Sequence, residues 1–357
     1  MASKVRGTTI PLTEVRRFIM DVMEKAGASG GHAGALADLL VTADQRGHFS
    51  HGLNRLEYYL TDIRGAICDP AAEPVVTRQT AATALVDGQN GLGPVIGNFC
   101  TDLAIQKARE SGIGWVVAHN SNHYGIAGWY ALRCAEAGLV GMSFTNTSPL
   151  VVPTRARQPM LGTNPIACAA PGEGGDSFCL DMATCTVAVG KIEVQRRKRE
   201  PIPEGWATNA EGRITTDADA AVGLLPLGGD EAHSGYKGYG LAFMVELFCG
   251  LLGGAAYGPH VRRWDNQRTP ADLGQCFVAL DPAAFAPGFS GRLQELMTQC
   301  RETERANPDE PVLVPGDPER AHMARVARDG GVTYHENQLA SSDQLAAELG
   351  VQPMQAV

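Results

Sequence analysis

The sequence is short of positive charge, and charged residues of either sign are few. Thirty lysines and arginines stand against 39 aspartates and glutamates in 357 residues, which leaves a net charge of −9. This balance argues against a protein that wraps DNA or RNA, because a polyanion is bound through an excess of basic groups. Charged residues make up 19% of the chain and apolar residues 44%, so a folded chain with much buried surface is expected.

Cysteine pairs and membrane segments are also lacking. The nine cysteines form no C-x-x-C pair, and their odd number argues against a disulfide framework, so reduced thiols in a cytoplasmic protein are expected. The first twelve residues, MASKVRGTTIPL, have no apolar core of the kind found in secretory signals. The long apolar run at 239–257 carries Glu246 in its middle and therefore predicts a buried helix rather than a membrane span.

The two common nucleotide-binding signatures are missing as well. The chain has no G-x-G-x-x-G with an acidic residue downstream and no P-loop, and the glycines of GQNGLG at 88–93 predict only a turn that opens a helix. Three other segments fit a nucleotide better: TNTSP at 145–149 and LDMAT at 180–184, which follow predicted strands, and SGYKGYG at 234–240, which precedes a predicted helix. In the last segment, Lys237 and free N–H groups at a helix start form a candidate anion site.

The hydrophobic pattern divides the chain into a helical start and an α/β remainder. Up to about residue 70 the spacing predicts helices near 15–23, 36–43 and 50–64. From about residue 75, short β-branched runs alternate with helical stretches, which indicates an α/β domain. Strands are predicted at 83–86, 115–118 and 140–145, helices at 97–110, 126–137, from 240, at 293–305 and at 342–349, a turn-rich excursion at 198–235 and a loop at 256–275.

The third predicted helix, with Ser50 as its N-cap, has two different faces. One narrow arc is apolar, formed by Leu53, Leu56, Leu60 and Ile63, and the opposite arc is formed by His51, Arg55, Tyr58, Tyr59 and Asp62. Arg55 can hold a carboxylate through two parallel hydrogen bonds, and His51, one turn away, can pass a proton at the neighbouring carbon. Tyr58 and Asp62 are interpreted as solvated surface residues.

A second pair of histidines lies where a predicted strand gives way to a helix. His119 and His123 frame the stretch HNSNH, and ligands of α/β sheets gather at such turns. Together with His48 and His51 they could instead form a four-histidine metal site, so a metal-dependent hydrolase is one alternative function. His119 is interpreted as a structural residue that closes the strand.

Eight stretches, in order from about residue 11 to 325, resemble the type-2 malate/L-lactate dehydrogenase family: ADQRGHFSHGLNRLEYY, NSNHYGIAGWYA, LGTNPIACAAP, LDMATCTVAVGKI, PEGWAT, LLPLGG, GYKGYGLAFMVELFCGLLGGA and VLVPGDPE. These oxidoreductases use NAD(P) and are unrelated to the Rossmann-fold malate and lactate dehydrogenases. The resemblance implies an α/β fold with a family-specific, non-Rossmann NAD(P)-binding arrangement. Residues 1–74, joined by about 320–357, would form a helical part with the catalytic helix, and residues 75–319 the α/β cofactor-binding part. A homodimer is also implied.

The resemblance assigns roles to single residues. His51 is similar to the family's proton donor to the carbonyl oxygen, and His123 matches a histidine proposed as the acid–base residue in part of the family, so two candidates stand for one role. Arg55 and Tyr59 match substrate-contacting positions. Cofactor contacts are implied at Thr147, Asp181, Met182, Ala183, Lys237, Gly238, Pro315, Gly316 and Asp317. No metal ligand is implied.

The expected activity is hydride transfer between a nicotinamide cofactor and a small malate- or lactate-like 2-hydroxy acid, which becomes its 2-oxo acid. NAD is favoured, although the basic run at 196–199 could recognise the 2′-phosphate of NADP. A catalytically silent nucleotide-binding relative is the other alternative. Because a helix dipole should lower the pKa of His51, we hypothesise that Asp44 or Asp181 offsets this effect.

Overall fold

A computed structural model describes residues 7–264, 266 and 268–356. Both ends of the chain build one helical part, which consists of β1 (Gly7–Ile10), α1 (Leu12–Lys25), α2 (Gly30–Gln45), α3 (Leu56–Arg64), α9 (Asp317–Arg328), β12 (Val332–His335) and α10 (Glu336–Leu349). Strands β1 and β12 pair antiparallel, and Tyr334 and Leu345 pack in the same core as Val15 and Phe18. The expected completion of the N-terminal helices by C-terminal residues is confirmed.

The segment that leads into α3 differs from the helix predicted to start at Ser50. Residues 49–51 and 53–55 form two short 3₁₀ turns that meet at Gly52, and α3 begins directly after them. Ser50 does not cap a helix, because its hydroxyl lies 2.8 Å from Nδ1 of His51 instead. The predicted third helix is therefore too long at its N-terminal end.

The buried carboxylate of Asp44, at the end of α2, explains why the chain forms two short turns here instead of a longer helix. Asp44 accepts the backbone N–H of Leu53 at 2.9 Å and the hydroxyl of Tyr334 at 2.7 Å. A Cβ atom on Gly52 would overlap the Asp44 carboxylate, so only glycine allows the approach. The glycine of the SHG motif thus anchors the turn that carries His51 to a core formed by both ends of the chain.

The α/β part is built on a mixed sheet of seven strands among the described residues, in the order β2-β3-β4-β11-β5-β6-β7. Strands β3 and β4 are parallel, and the other neighbouring pairs are antiparallel. The bounds are Val75–Gln79 (β2), Thr83–Asp87 (β3), Ile113–Ser121 (β4), Val140–Thr145 (β5), Ile166–Pro171 (β6), Ser177–Met182 (β7) and Leu273–Leu280 (β11). The loop predicted at 256–275 is wrong at its end, since β11 begins at Leu273. A strand buried on both faces shows no alternation to reveal it.

Helices cover both faces of this sheet. On one face lie α4 (Gly93–Ser111) and α5 (Gly128–Glu136), and on the other α7 (Gly235–Glu246), which continues into a π-helical turn (Leu247–Leu251), and α8 (Phe289–Glu302). Helix α7 starts five residues before the predicted position. Lys237 therefore lies in its first turn rather than ahead of it.

The turn-rich excursion contains a small sheet of its own. After α6 (Val189–Lys198), the strands β8 (Ala207–Thr208), β9 (Ile214–Thr215) and β10 (Gly223–Leu224) pair in the order β10-β8-β9. Across the described residues, none of the helices is both long enough and apolar enough to span a lipid bilayer. Most of the run at 239–257 is helical, as predicted, and falls in α7 and its π-helical turn. It is buried on one side only, because Phe243, Leu247 and Leu251 are exposed.

Candidate active site

Two histidines and a tyrosine meet where the helical part faces the sheet. The rings of His51 and His123 stack with their centroids 5.7 Å apart and their planes 20° apart. His123 follows β4, and the hydroxyl of Tyr59 on α3 lies 2.7 Å from its Nδ1. Arg55 ends the second 3₁₀ turn, and its charge acts on both imidazoles. The four residues predicted to act on the substrate are therefore neighbours.

Hydrogen bonds decide which nitrogen of His123 carries the proton. The backbone N–H of Gly125 points at Nδ1 from 3.4 Å. Burial raises the pKa of Tyr59 well above its usual value, so its hydroxyl keeps its proton and can donate to Nδ1, which the Gly125 N–H identifies as an acceptor. Because both neighbours are donors, Nδ1 of neutral His123 is an acceptor and the proton is on Nε2. His123 thus presents an N–H donor at Nε2.

His51, unlike His123, can carry its proton on Nδ1. Its Nδ1 faces the hydroxyl of Ser50, which can accept a hydrogen bond as well as donate one, so Nδ1 can carry the proton and leave a lone pair on Nε2. Burial, and then the charges of Arg55 and His48, lower the pKa of His51 to about 4. The pKa of His123 is also lowered, by the protein that crowds the ring and by His51 and Arg55. Both imidazoles are therefore neutral at pH 7.

The hypothesis that Asp44 or Asp181 offsets the low pKa of His51 is wrong. Asp44 is bonded to Leu53 and Tyr334, and Asp181 accepts the N–H that begins α5 at 2.8 Å. Neither carboxylate acts on His51. The cause assumed from the sequence is also wrong, because His51 lies in a 3₁₀ turn and burial has the largest effect on its pKa.

Arg55 is held at one side of its guanidinium. Its Nε donates to the carbonyl of Ser50 at 2.6 Å, and its Cζ lies 5.1 Å from the ring centre of Tyr58. In the part of the chain that the structure describes, the two terminal nitrogens have no hydrogen-bond partner. Each is therefore free to donate to one oxygen of a substrate carboxylate. Tyr58, interpreted from the sequence as a surface residue, is exposed as expected, and its ring also packs against Arg55 and Trp264.

Asp62 is likewise engaged rather than solvated. It forms a largely buried ion pair of 2.9 Å with Arg262, whose carbonyl accepts the hydroxyl of Ser148 at 2.7 Å. The loop that carries Arg262 thereby links α3 to the segment after β5. Sequence reasoning missed this contact, because the two charges are 200 residues apart and neither position stands out alone.

The predicted cofactor segments meet at the end of the edge strand β7. Asp181 and Met182 are the last two residues of this strand. The prediction that the LDMAT segment follows a strand is therefore wrong for these two residues. Just beyond them, the N–H of Thr184 donates to the carbonyl of Thr163 at 2.9 Å, and the N–H of Thr163 donates to the hydroxyl of Thr147 at 2.9 Å. The LDMAT and TNTSP segments are thus joined through one intervening residue.

Helix α7 brings its first turn to the same place. The N–H of Leu227 donates to the carbonyl of Thr184 at 2.9 Å, and a Cβ on Gly238 would overlap the Leu227 backbone. Lys237 is exposed, with its Nζ 6.0 Å from the ring centre of Tyr236. An ammonium group at a helix start produces positive potential, which suits an anionic ligand.

The last predicted segment lies along the outer edge of β7. The N–H of Cys179 donates to the carbonyl of Pro315 at 3.0 Å. The Asp317 carboxylate forms ion pairs with Arg301 at 2.8 Å and with Arg320 at 2.5 Å, and these partners hold its pKa well below the usual range. The side chain of Asp317 is therefore committed to anchoring its own loop.

The four histidines of the metal alternative do not form a cluster. The Nε2 of His48 lies 3.9 Å from Glu319 on α9, while His119 pairs with Asp87 inside the sheet. Among the residues that the structure describes, no three His, Cys, Asp or Glu side chains are arranged to hold a metal ion. The geometry gives the hydrolase alternative no support.

Comparison with known proteins agrees with this site. Residues 10–341 match the malate/L-lactate dehydrogenase family. The chain belongs to this family. It is 40% identical to a malate dehydrogenase of Pyrococcus abyssi over 354 residues, which cover 97% of this chain and 96% of that one. It is 36% identical to an L-sulfolactate dehydrogenase of Methanocaldococcus jannaschii, with 94% and 96% covered.

The fold agrees with that of a solved structure of the family. The malate dehydrogenase of Pyrococcus horikoshii OT3 superposes with a TM-score of 0.89 at 36% identity and covers 99% of both chains. The fold class, the family and the class of NAD(P)-dependent dehydrogenase predicted from the sequence are confirmed. Further relatives are named for either NAD(+) or NADP(+). Neither the metal-dependent hydrolase nor the silent relative finds support.

Proposed function

We propose that this dehydrogenase interconverts a small 2-hydroxy acid and its 2-oxo acid through His51, His123, Arg55 and Tyr59. The observation that carries the proposal is a stacked pair of neutral imidazoles beside an arginine with free terminal nitrogens. NAD(P), when bound, accepts or supplies the hydride. The remaining chemistry needs a cation for the carboxylate and a proton carrier at the reacting oxygen.

The two histidines divide this work. In alcohol oxidation, Nε2 of His51 takes the hydroxyl proton, since its Nδ1 can stay protonated against Ser50. His123 cannot act as a base at Nε2 in the tautomer that Tyr59 and Gly125 enforce. It donates its Nε2–H to the same oxygen and stabilises the charge that develops there. In the reverse direction, protonated His51 returns the proton to the carbonyl oxygen.

Paired variants test this division. His51→Asn should lower kcat by about 10²–10⁴-fold, the usual contribution of a general acid–base group. His123→Gln keeps an N–H donor near the same place, so a smaller loss of about tenfold is expected. The opposite order of the two losses would mean that the roles are exchanged. Circular dichroism of both variants controls for folding.

The residues at the end of β7 have a donor chemistry that fits a dinucleotide. Lys237 and the start of α7 supply positive charge for the pyrophosphate, and Thr147 supplies a hydroxyl. Met182 and Ala183 line the same region, whereas the Asp181 side chain bonds to α5, and its burial raises its pKa to about 6. We assign Asp181 to the support of this region, together with the loop at 315–317.

Substrate and cofactor can be tested in one assay. Purified protein is mixed with NADH or NADPH and with one of several 2-oxo acids: oxaloacetate, pyruvate, 2-oxoglutarate or sulfopyruvate. Loss of absorbance with one acid, and a faster rate with NADH, is the expected result. Binding of NADH without turnover of any member would contradict the substrate class, and equal rates with NADPH would contradict the preference for NAD.

We also propose that the chain consists of two parts and that it forms a homodimer. Residues 1–74 with about 320–357 form the helical part, which supplies His51 and Arg55. Residues 75–319 form the cofactor-binding part, which also supplies His123, and the site lies at the junction of the two parts. A homodimer is supported by an exposed apolar row on α7 and the turn after it, where Phe243, Leu247 and Leu251 are each more than two-fifths exposed. Light scattering should give twice the chain mass, and Phe243→Glu should lower it.

A reducing compartment fits the cysteines. All nine thiols are free, and eight of them are buried or half-buried. Burial raises the pKa of several, for example that of Cys68 to about 12, which keeps them unreactive. Cytoplasmic location is therefore proposed. Thiol titration of the native protein should reveal mainly Cys300, the exposed one.

A further inference from the structure

One buried carboxylate beside the cofactor segments takes no part in the chemistry of hydride and proton transfer. Glu246, at the end of α7, is 4% exposed. Its Oε1 accepts Nδ2 of Asn146 at 3.0 Å and the N–H of Gly258 at 2.9 Å, and its Oε2 accepts Nδ2 of Asn164 at 2.8 Å. All three partners are neutral donors. Burial of a carboxylate costs free energy unless its oxygens accept hydrogen bonds. The three donors around Glu246 therefore indicate that its carboxylate is needed to hold these partners in place.

The partners of Glu246 lead to the cofactor segments. Oδ1 of Asn164 accepts the backbone N–H of Thr147 at 3.1 Å, so the amide can reach both groups only in one orientation. The carbonyl of Asn164 accepts the hydroxyl of Thr184 at 3.1 Å, which fixes the end of the LDMAT segment. Lys237 stands on the same helix as Glu246. A single carboxylate thus connects the three segments proposed to hold NAD(P).

Asn146 extends the connection into the sheet. Its Nδ2 also donates to the carbonyl of Ala256 at 2.8 Å, and its Oδ1 accepts the N–H of Gly274 at 2.9 Å, beside the start of β11. It directly precedes Thr147 in the chain. The backbone of Thr147 is therefore held from both sides by amides that Glu246 orients.

We propose that Glu246 is a positioning residue for the cofactor, acting through Asn164 and Asn146 on Thr147. This inference rests on the proposed function, because it assumes that NAD(P) binds at these segments. Glu246 itself does not touch the reacting atoms. Its negative charge matters less than its two acceptor oxygens, which no neutral side chain of the same size supplies.

The substitution Glu246→Gln is the sharpest perturbation, because it changes one oxygen into an NH₂ group. That group is expected to face Asn164, where it meets one donor, rather than Asn146 and Gly258, where it would meet two. When it faces Asn164, two donors oppose each other. If Asn164 turns over to accept from it, the Nδ2 of Asn164 then faces the N–H of Thr147, and two donors meet there instead. The first arrangement pushes Asn164 away from its place and the second turns a donor toward Thr147, so each weakens the hold on the Thr147 backbone. The KM for NADH should rise about 10- to 100-fold, with kcat and the KM of the 2-oxo acid changed less than about threefold.

Two further variants separate positioning from plain destabilisation. In Glu246→Gln/Asn164→Asp, both oxygens of the aspartate are acceptors, one for the new amide and one for Thr147, so much of the NADH affinity should return. The contact from Asn164 to the carbonyl of Ala242 is lost, which keeps the recovery partial. Val245→Ala removes buried apolar volume from the same helix but leaves the hydrogen bonds of Glu246 to the loops intact. It should lower the unfolding temperature and leave the KM for NADH unchanged.

NADH binding is measured by fluorescence titration, and steady-state kinetics is run alongside. Weak binding by Glu246→Gln, recovery in the double variant and normal binding by Val245→Ala are expected. Equal affinity of Glu246→Gln and the unchanged protein would overturn the inference, and so would an equal rise in the KM of the 2-oxo acid. Failure of the unchanged protein to bind NADH would instead overturn the proposed function.

Discussion

The low pKa of His51 predicts which direction of the reaction responds to pH. Oxidation of a 2-hydroxy acid by NAD releases one proton, so the ratio of kcat/KM for oxidation to that for reduction must rise about tenfold per pH unit. Thermodynamics fixes how this ratio changes with pH, but it does not say which of the two kcat/KM values changes. The pKa of the acid–base group decides this, because each direction needs one of its two protonation states.

The magnitude follows from the pKa of about 4 that burial, Arg55 and His48 impose on His51. The neutral base needed for oxidation is present in full above pH 5. The protonated acid needed for reduction is present in about 1% of the molecules at pH 6 and about 0.01% at pH 8. From pH 6 to pH 8, kcat/KM for reduction should therefore fall about 100-fold, while kcat/KM for oxidation should change less than about twofold.

The assay is initial-rate kinetics in both directions at saturating cofactor, in buffers of constant ionic strength. NMR titration of His51 gives the pKa independently. A flat profile for reduction together with a 100-fold rise for oxidation would refute the reasoning, since it would require a pKa above 8. His48→Gln is a useful companion, because loss of the positive charge that His48 can carry should raise the pKa of His51 slightly.

Three further variants examine the geometry of the site. Arg55→Lys loses the two-nitrogen grip on the carboxylate, so the KM of the 2-oxo acid should rise about 10- to 100-fold while the KM for NADH is unchanged. Tyr59→Phe removes the stronger of the two donors to His123 and should lower kcat roughly tenfold, and an unchanged kcat would contradict the tautomer assigned here. Tyr334→Phe removes one of two donors to buried Asp44, so urea unfolding should give a free energy lower by about 1–2 kcal/mol, with kcat nearly unchanged.

Much of the scaffold follows from short-range patterns. The predicted strands at 83–86, 115–118 and 140–145 all lie within observed strands, because β-branched runs between turns are buried in the central sheet. Strand β11 escaped prediction, although it is the central strand. Its partners β4 and β5 lie more than a hundred residues earlier, so only the tertiary fold defines its pairing.

The sequence by itself determined the class of chemistry. Arg55 and His51 are one turn apart on one polar arc, and the family's motifs added His123 and the cofactor segments. The sequence also contained a sign of Glu246, which is a charged residue in an apolar run. What such a residue does could not be inferred, because two of its three partners, Asn146 and Asn164, lie 100 and 82 residues earlier in the chain.

Only the tertiary structure decided the protonation states. The pKa of His51 depends on burial by elements distant in sequence, and the tautomer of His123 depends on Tyr59, which reaches it from another part of the chain. A helix dipole and a compensating carboxylate were expected from the sequence to set the pKa of His51, and both expectations were wrong. Side-chain spacing can place groups on one face of a helix. Desolvation and hydrogen-bond direction arise only when the chain closes around them.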